Sequence, residues 1–271
     1  YESILPLCSL TDDEYESIME KIDEYSNLGY RVLAVAKQDN LQDIKEKITD
    51  NKLQFVGLIA LVDPPRKGIK ESVKSCYDAG IRLIMITGDN GKTAKSIAKQ
   101  IGLKHYDHVI TGIELENMSD EELREGVKDT NIFARVYPNH KMRIVKALQA
   151  NNEVVAMTGD GINDAPALKK AEIGIAMGQR GTNVAKESAD MILMDDNFNT
   201  IISAIKNGRT IYSNIKKAIS YVLVIHIPIA LASIFAPLLK LPNILLPIHI
   251  VLLELIIDPT SSIIFQRIKP D

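Results

Sequence analysis

Cysteine is scarce in this chain. Its 271 residues carry two, Cys8 and Cys76, far apart and without metal-ligand spacing. That supports neither a disulfide framework nor a thiolate metal site, and the soluble part reads as cytosolic. Charge of one sign is scarce too. The 32 Lys and Arg against 35 Asp and Glu leave a net charge of −3, which gives no electrostatic reason to expect nucleic acid as a partner. No internal repeat or low-complexity linker interrupts the chain. It opens on Tyr1 rather than Met, without a leader peptide, and is expected to be a piece of a longer protein.

Charge is absent altogether from residues 218–239, AISYVLVIHIPIALASIFAPLL, which contain no Lys, Arg, Asp or Glu. A span of about 20 apolar residues crosses a bilayer. Residues 241–265 follow Lys240 and are apolar except for Glu254 and Asp258. The pair reads as a transmembrane hairpin in contact with lipid, the alternative being two buried core helices. Lys216 and Lys217 flank one outer end, Arg267 and Lys269 the other, which places both ends in the cytoplasm.

The rest of the chain is patterned for α/β structure. In residues 1–56, Thr11 and Glu14 spell a capping box, Gly29 a helix stop and YRVLAVAK a strand, and FVGLIALVD (55–63) reads as a second strand. These residues are expected to be the end of an α+β unit. Over residues 57–198 short apolar strands (IRLIMIT, IFARV, VVAMT, IGIAM, MILM) alternate with amphipathic helices, the signature of a doubly wound parallel sheet. Residues 199–217 continue as a helix into the first apolar span, with Gly208 its one weak point.

Three polar motifs fall at strand ends: TGDN (87–90), ARVYPNHK (134–141) and TGDGIND (158–164). In open α/β sheets ligands bind outside the carboxyl ends of the strands, so the three converge on one site. Glycine turns let backbone N–H groups approach phosphate oxygens, and Thr87 adds a hydroxyl donor. Lys141 offsets charge on a transferring phosphoryl group. Asp160 and Asp164 offer oxygens to Mg²⁺. Each motif alone has a plainer reading as a turn or a solvated face, and TGDGIND lacks the third glycine of a dinucleotide-binding turn.

MITGDN, ARVYPNHKMRIVKALQ, VVAMTGDGINDAPALKKAEIGIAMG and the continuation through residue 217 resemble P-type cation-transporting ATPases of the haloacid dehalogenase superfamily, in the branch that includes calcium pumps. The resemblance implies an ATP-binding and phosphorylation unit, a stalk helix and two membrane helices. It implies that Thr87 binds the phosphoryl group, with Gly88 and Asp89 beside nucleotide and phosphate. Arg31 and Arg135 would contact ATP, Lys141 would neutralise the phosphate, Asn163 would bond its oxygens, and Asp160 would ligate Mg²⁺ with Asp164 in support. The family's nucleophile, the aspartate of DKTGT, occurs nowhere in this sequence and is expected upstream with the remainder of the pump. Alone the chain is expected to be inactive. The competing readings are a nucleotide-sensing membrane protein and a soluble phosphatase of the same superfamily.

Glu254 and Asp258, spaced i, i+4, share a helix face in the second apolar run. Pro228 and Pro259 lack the N–H that would bond the carbonyls of Val224 and Leu255. Carboxylates with free carbonyls suit a hard transported cation. Calcium pumps carry an asparagine where Glu254 stands, and an asparagine and a glutamate where this chain has His226 and Ile229. H⁺, Na⁺, K⁺, Mg²⁺ and Ca²⁺ all stay open as cargo.

Overall fold

Thr11 starts the first helix as its sequence demands. Its hydroxyl accepts the Glu14 N–H at 3.4 Å while the Glu14 carboxylate accepts the Thr11 N–H at 2.9 Å. The helix α1 (Asp12–Asn27) follows and stops at Gly29, whose φ of 89° is left-handed. The strands β1 (Arg31–Lys37) and β2 (Gln54–Leu61) then pair antiparallel, Arg31 opposite Leu61, with a bulge between Val35 and Ala36. Ile22 of α1 packs on Val32 and Leu5, with Phe55 and Leu58 closing this small core. The structure, a computed structural model, describes residues 1–38, 53–242 and 246–266, except the side chains of residues 258, 261, 262 and 266. It forms two units, Tyr1–Asn199 and Thr200–Asp271.

The remainder of the first unit is a parallel α/β arrangement. In chain order it runs α2 (Ile69–Asp78), β3 (Met85–Ile86), α3 (Gly91–Ile101), β4 (Val109–Thr111), α4 (Gly112–Asn117), α5 (Asp120–Asp129) and β5 (Ile132–Ala134). There follow α6 (Pro138–Ala150), β6 (Ala156–Gly159), α7 (Ala165–Lys170), β7 (Ile173–Met177), α8 (Asn183–Ser188) and β8 (Met191–Leu193). The strands hydrogen-bond as two parallel ladders, in the orders β3-β5-β4 and β6-β7-β8. The doubly wound sheet read from the sequence is therefore divided, and among the described residues β3 and β6 each have one ladder partner. This explains why IRLIMIT yields only Met85–Ile86 as strand. Its amides reach Asn131 and Phe133 on one side, and nothing among the described residues extends the ladder on the other.

Packing joins the two ladders where hydrogen bonds do not. Phe133, Leu115, Leu123 and Ile144 form one buried core, and Val145, Met157, Leu168 and Ala176 another. Ile86 and Val155 pack against both cores, and α6 supplies Ile144 to the first and Val145 to the second. Beyond β8, Asp196 secures the turn: its carboxylate accepts the N–H of Gln179 at 3.0 Å and of Arg180 at 2.9 Å. Chiefly the Gln179 amide holds this carboxyl below the usual range.

The second unit holds most of α9 (Phe198–Leu238) and all of α10 (Pro247–Gln266). At about 1.5 Å per residue the 41 residues of α9 extend roughly 60 Å, twice a hydrocarbon core of about 30 Å. Among the described residues α9 is the one helix long and apolar enough to cross a membrane; the apolar part of α10, Pro247–Ile257, is shorter. The second helix starts at Pro247 rather than at residue 241. Lys240 turns left-handed at φ 57° and ends α9, and a proline suits the first helical position. Arg267 and Lys269 lie outside the described residues.

Two measurements check this account. Phe133, fully buried at the centre of its ladder, costs about 3–5 kcal/mol on truncation to alanine, read by urea denaturation. The depressed Asp196 carboxyl contributes stability that is whole above the ordinary carboxylate range and is lost as pH falls through the lower folded value. Asp196→Asn therefore flattens the acid limb of a stability-versus-pH curve below about pH 4.

Candidate active site

Thr87 leaves β3 tied to the neighbouring strand. Its N–H donates to Phe133 at 2.9 Å, and its carbonyl accepts from Val136 at 3.1 Å. The Thr87 hydroxyl accepts the Asp89 N–H at 3.1 Å, so the TGD turn closes on itself and Gly88 stands exposed at its tip. Asn90 then caps α3, its side-chain oxygen accepting the Thr93 N–H at 2.9 Å.

Arg135 leaves β5 with a left-handed φ of 53°, which costs a side-chain-bearing residue on the order of 1 kcal/mol. The bond from its N–H to the Asp89 carbonyl, 3.0 Å, holds it there. Its guanidinium lies 3.0 Å from Glu2, and that of Arg31 lies 3.7 Å from the Asp89 carboxylate. Arg31, Asp89, Asn90, Arg135 and Glu2 line a cleft of about 130 Å³. The Arg31 side chain is 65% exposed, so its attraction to Asp89 is weak and the guanidinium stays available to an anion.

A second cluster forms where β6 ends. Gly159 is required there, because a Cβ on it would stand 2.5 Å from that of Asp164. One Asp164 oxygen accepts the N–H groups of Asp160 (3.2 Å) and Gly161 (3.1 Å); the other lies 2.5 Å from the Lys141 ammonium. Lys141 reaches it from the first turn of α6, which begins on Pro138. His140, fully buried beside it, accepts the Tyr137 N–H on Nδ1 and lies 2.6 Å from Glu116 through Nε2. The Asp160 carboxylate is exposed and has no hydrogen-bond or ion-pair partner among the described residues. The Asp160 carbonyl accepts from Thr182 at 2.9 Å. Asn163 is exposed in the tight turn Ile162–Asp164.

Thus Arg31, Asp89 and Arg135 share one cleft with Thr87 tied to it, and Asp160, Lys141 and Asp164 share one turn. Among the described residues no three His, Cys, Asp or Glu side chains cluster as a metal cage. Mg²⁺ needs none, since it usually takes one or two carboxylates and keeps its waters. The chemistry of the donors fits that ion at Asp160, which is unengaged, with Asp164 saturated by its own donors in support. Sequence reasoning missed Glu2, Asn90, His140 and Thr182. Asn90 and Thr182 were legible as caps before GKTAKSIAK and NVAKES; Glu2 carries no local signal.

In the second unit Glu254 lies 3.8 Å from His226, while the Asp258 side chain is outside the described residues. Val224 and Leu255 each stand four residues before a proline within a helix. The contrast between the two aspartates of TGDGIND gives a test on the isolated chain. Asp164→Ala strips partners from two amides and a lysine and costs about 1–3 kcal/mol. Asp160→Ala, at an unpartnered exposed position, changes stability by no more than about 0.5 kcal/mol. Thermal and chemical denaturation of both variants checks the order.

Comparison with known proteins bears on the same residues. Over its full length the chain is 42% identical to calcium-transporting ATPase 1 of Bacillus cereus, of which it spans 32%. It is 43% identical to the calcium-transporting ATPase of Bacillus subtilis across 90% of the chain and 27% of that protein. It is 39% identical to the bovine calcium-transporting ATPase type 2C member 1, again over its full length and 29% of the relative. The chain thus spans about 30% of the length of these relatives. A haloacid dehalogenase-like hydrolase model matches residues 9–172, and a second of the same description matches 141–205. With Thr87 and Asp160 just past the ends of parallel strands, Lys141 in the first turn of α6, and this match over more than half its length, the chain belongs to the haloacid dehalogenase-like hydrolases.

Proposed function

We propose that this chain is the phosphoryl-handling and ion-path portion of a P-type cation pump, which couples ATP hydrolysis through an aspartyl phosphate to cation movement across a membrane. The observation that carries the reading is the Asp164 hub: Lys141 and the amides of Asp160 and Gly161 converge on it, leaving Asp160 free beside them. Lys141 faces the incoming phosphoryl oxygens and offsets their charge. Thr87 and Asn163 donate to those oxygens, and Arg31 and Arg135 hold the ATP phosphates. Asp160, with Asp164 in support, would hold Mg²⁺, which when bound would neutralise phosphate charge.

The nucleophile is a carboxylate outside this sequence, which contains no DKTGT. The edges of β3 and β6 that lack a ladder partner among the described residues, each beside a TGD motif, suit a parallel strand that delivers it between them. Such a protein is multi-pass in the membrane with its α/β unit on the cytoplasmic side. Ca²⁺ leads as cargo, since each relative named above is called calcium-transporting.

Phosphoenzyme formation from labelled ATP by the full-length protein, across a cation panel, tests the reading. A hydroxylamine-labile acyl phosphate appears with the transported cation, and Asp160→Asn lowers it at least ~100-fold. Undiminished phosphoenzyme in that variant removes Asp160 from the metal site. No phosphoenzyme with any cation leaves a nucleotide sensor in place of a pump.

A further inference from the structure

The pump reading gives no task to His140, a fully buried imidazole next to Lys141 in the chain. Its ring is held at both nitrogens. Nδ1 accepts the Tyr137 N–H at 3.4 Å, and the His140 N–H returns a bond to the Tyr137 carbonyl at 3.0 Å. Nε2 lies 2.6 Å from the Glu116 carboxylate. An ionised carboxylate only accepts, so Nε2 carries a proton whichever charge the ring has. The Tyr137 ring stands edge-on to the imidazole, centroids 5.5 Å apart. The first turn of α6 is therefore closed on itself at Tyr137 and tied outward at Glu116.

Glu116 belongs to α4, which touches this part of the chain at both ends. At its start Gly112 leaves no room for a Cβ against the Arg135 carbonyl. Toward its far end Arg143, one turn beyond His140 on α6, donates to the carbonyls of Leu115 at 2.7 Å and Met118 at 2.8 Å. Leu115 and Ile144 share the core between the two helices. The short helix thus spans from the strand end that carries Arg135 to the helix that carries Lys141. The Glu116 side chain is 64% exposed and buries little apolar surface, so what it contributes is the bond to His140.

Successive side chains on a helix project roughly 100° apart around its axis. Lys141 reaches Asp164 while His140 reaches α4. Rotating the start of α6 by a fraction of that angle swings the ammonium, at the end of a four-carbon stem, away from the Asp164 oxygen 2.5 Å from it. We propose that His140 and Glu116 are positioning residues for phosphoryl transfer: their bond fixes the rotation of α6 and hence where Lys141 meets the phosphoryl oxygens. The inference rests on the pump reading and adds to it two residues that touch neither ATP nor metal. A misplacement of about 1 Å at a catalytic group costs up to ~100-fold in rate.

The test measures the rate of phosphoenzyme formation by the full-length protein from labelled ATP, across the same cation panel. Glu116→Ala slows it about 10-fold or more at saturating ATP, while the ATP concentration for half-maximal rate stays within about 2-fold. Glu116→Gln keeps an acceptor for Nε2 without the charge and restores most of the rate. Glu116→Asp keeps the charge, stops one methylene short of Nε2 and stays slow. A wild-type rate in Glu116→Ala, or a half-maximal ATP concentration that rises as the rate falls, overturns the inference and leaves the pump standing. Equal rates in the Gln and Asp variants overturn it too, whether or not Glu116→Ala folds. Absence of phosphoenzyme from the wild type with every cation removes the pump reading and this inference together.

Discussion

A carboxylate that is nearly buried must be paid for in hydrogen bonds, and Asp164 meets that requirement with three donors. Lys141 comes from the helix after β5, and the amides of Asp160 and Gly161 come from the turn after β6. One side chain therefore fixes the turn, the lysine and the direction in which Asp160 faces. Because removing one partner of such a pair leaves a charge without compensation, the arrangement is held as a unit. Gly159 belongs to the same constraint, since nothing larger fits against Asp164.

Much of this was legible in the sequence, and for identifiable reasons. TGDN and TGDGIND follow apolar runs directly, so strand, turn and ligand edge are written in consecutive residues. Thr11 with Glu14, and Pro138 at the start of α6, announce their helices in the same local way. What local pattern could not convey was pairing. IRLIMIT has strand composition along its length, yet only Met85–Ile86 finds ladder hydrogen bonds. Glu2 meets Arg135 across most of the first unit's chain length, and His140 is buried against Glu116 by the approach of α4 to α6. Contacts of this kind depend on topology, which periodicity does not encode.

The apolar helices illustrate a different limit. Composition marked both as membrane-type, and the freed carbonyls followed from Pro228 and Pro259 alone. The start of α10 did not, because it is set by a left-handed residue at Lys240 and by which of two prolines, Pro242 or Pro247, opens the helix. Nor could a sequence reveal that Nδ1 of His226 lies 2.9 Å from the Val222 carbonyl of its own helix.

The division of the parallel strands has a consequence for how the first unit forms and breathes. Each ladder is built from one continuous stretch of chain, the first within 85–134 and the second within 156–193. Neither has to wait for a distant strand before its own hydrogen bonds close, so loop-closure entropy is low within each and concentrated between them. Cooperation across the seam rests on shared side chains, Ile86 and Val155, and on α6 with a residue in either core. The natural subdivision under native-state hydrogen exchange is therefore two opening units with separate free energies, meeting at the edge strands that carry the TGD turns.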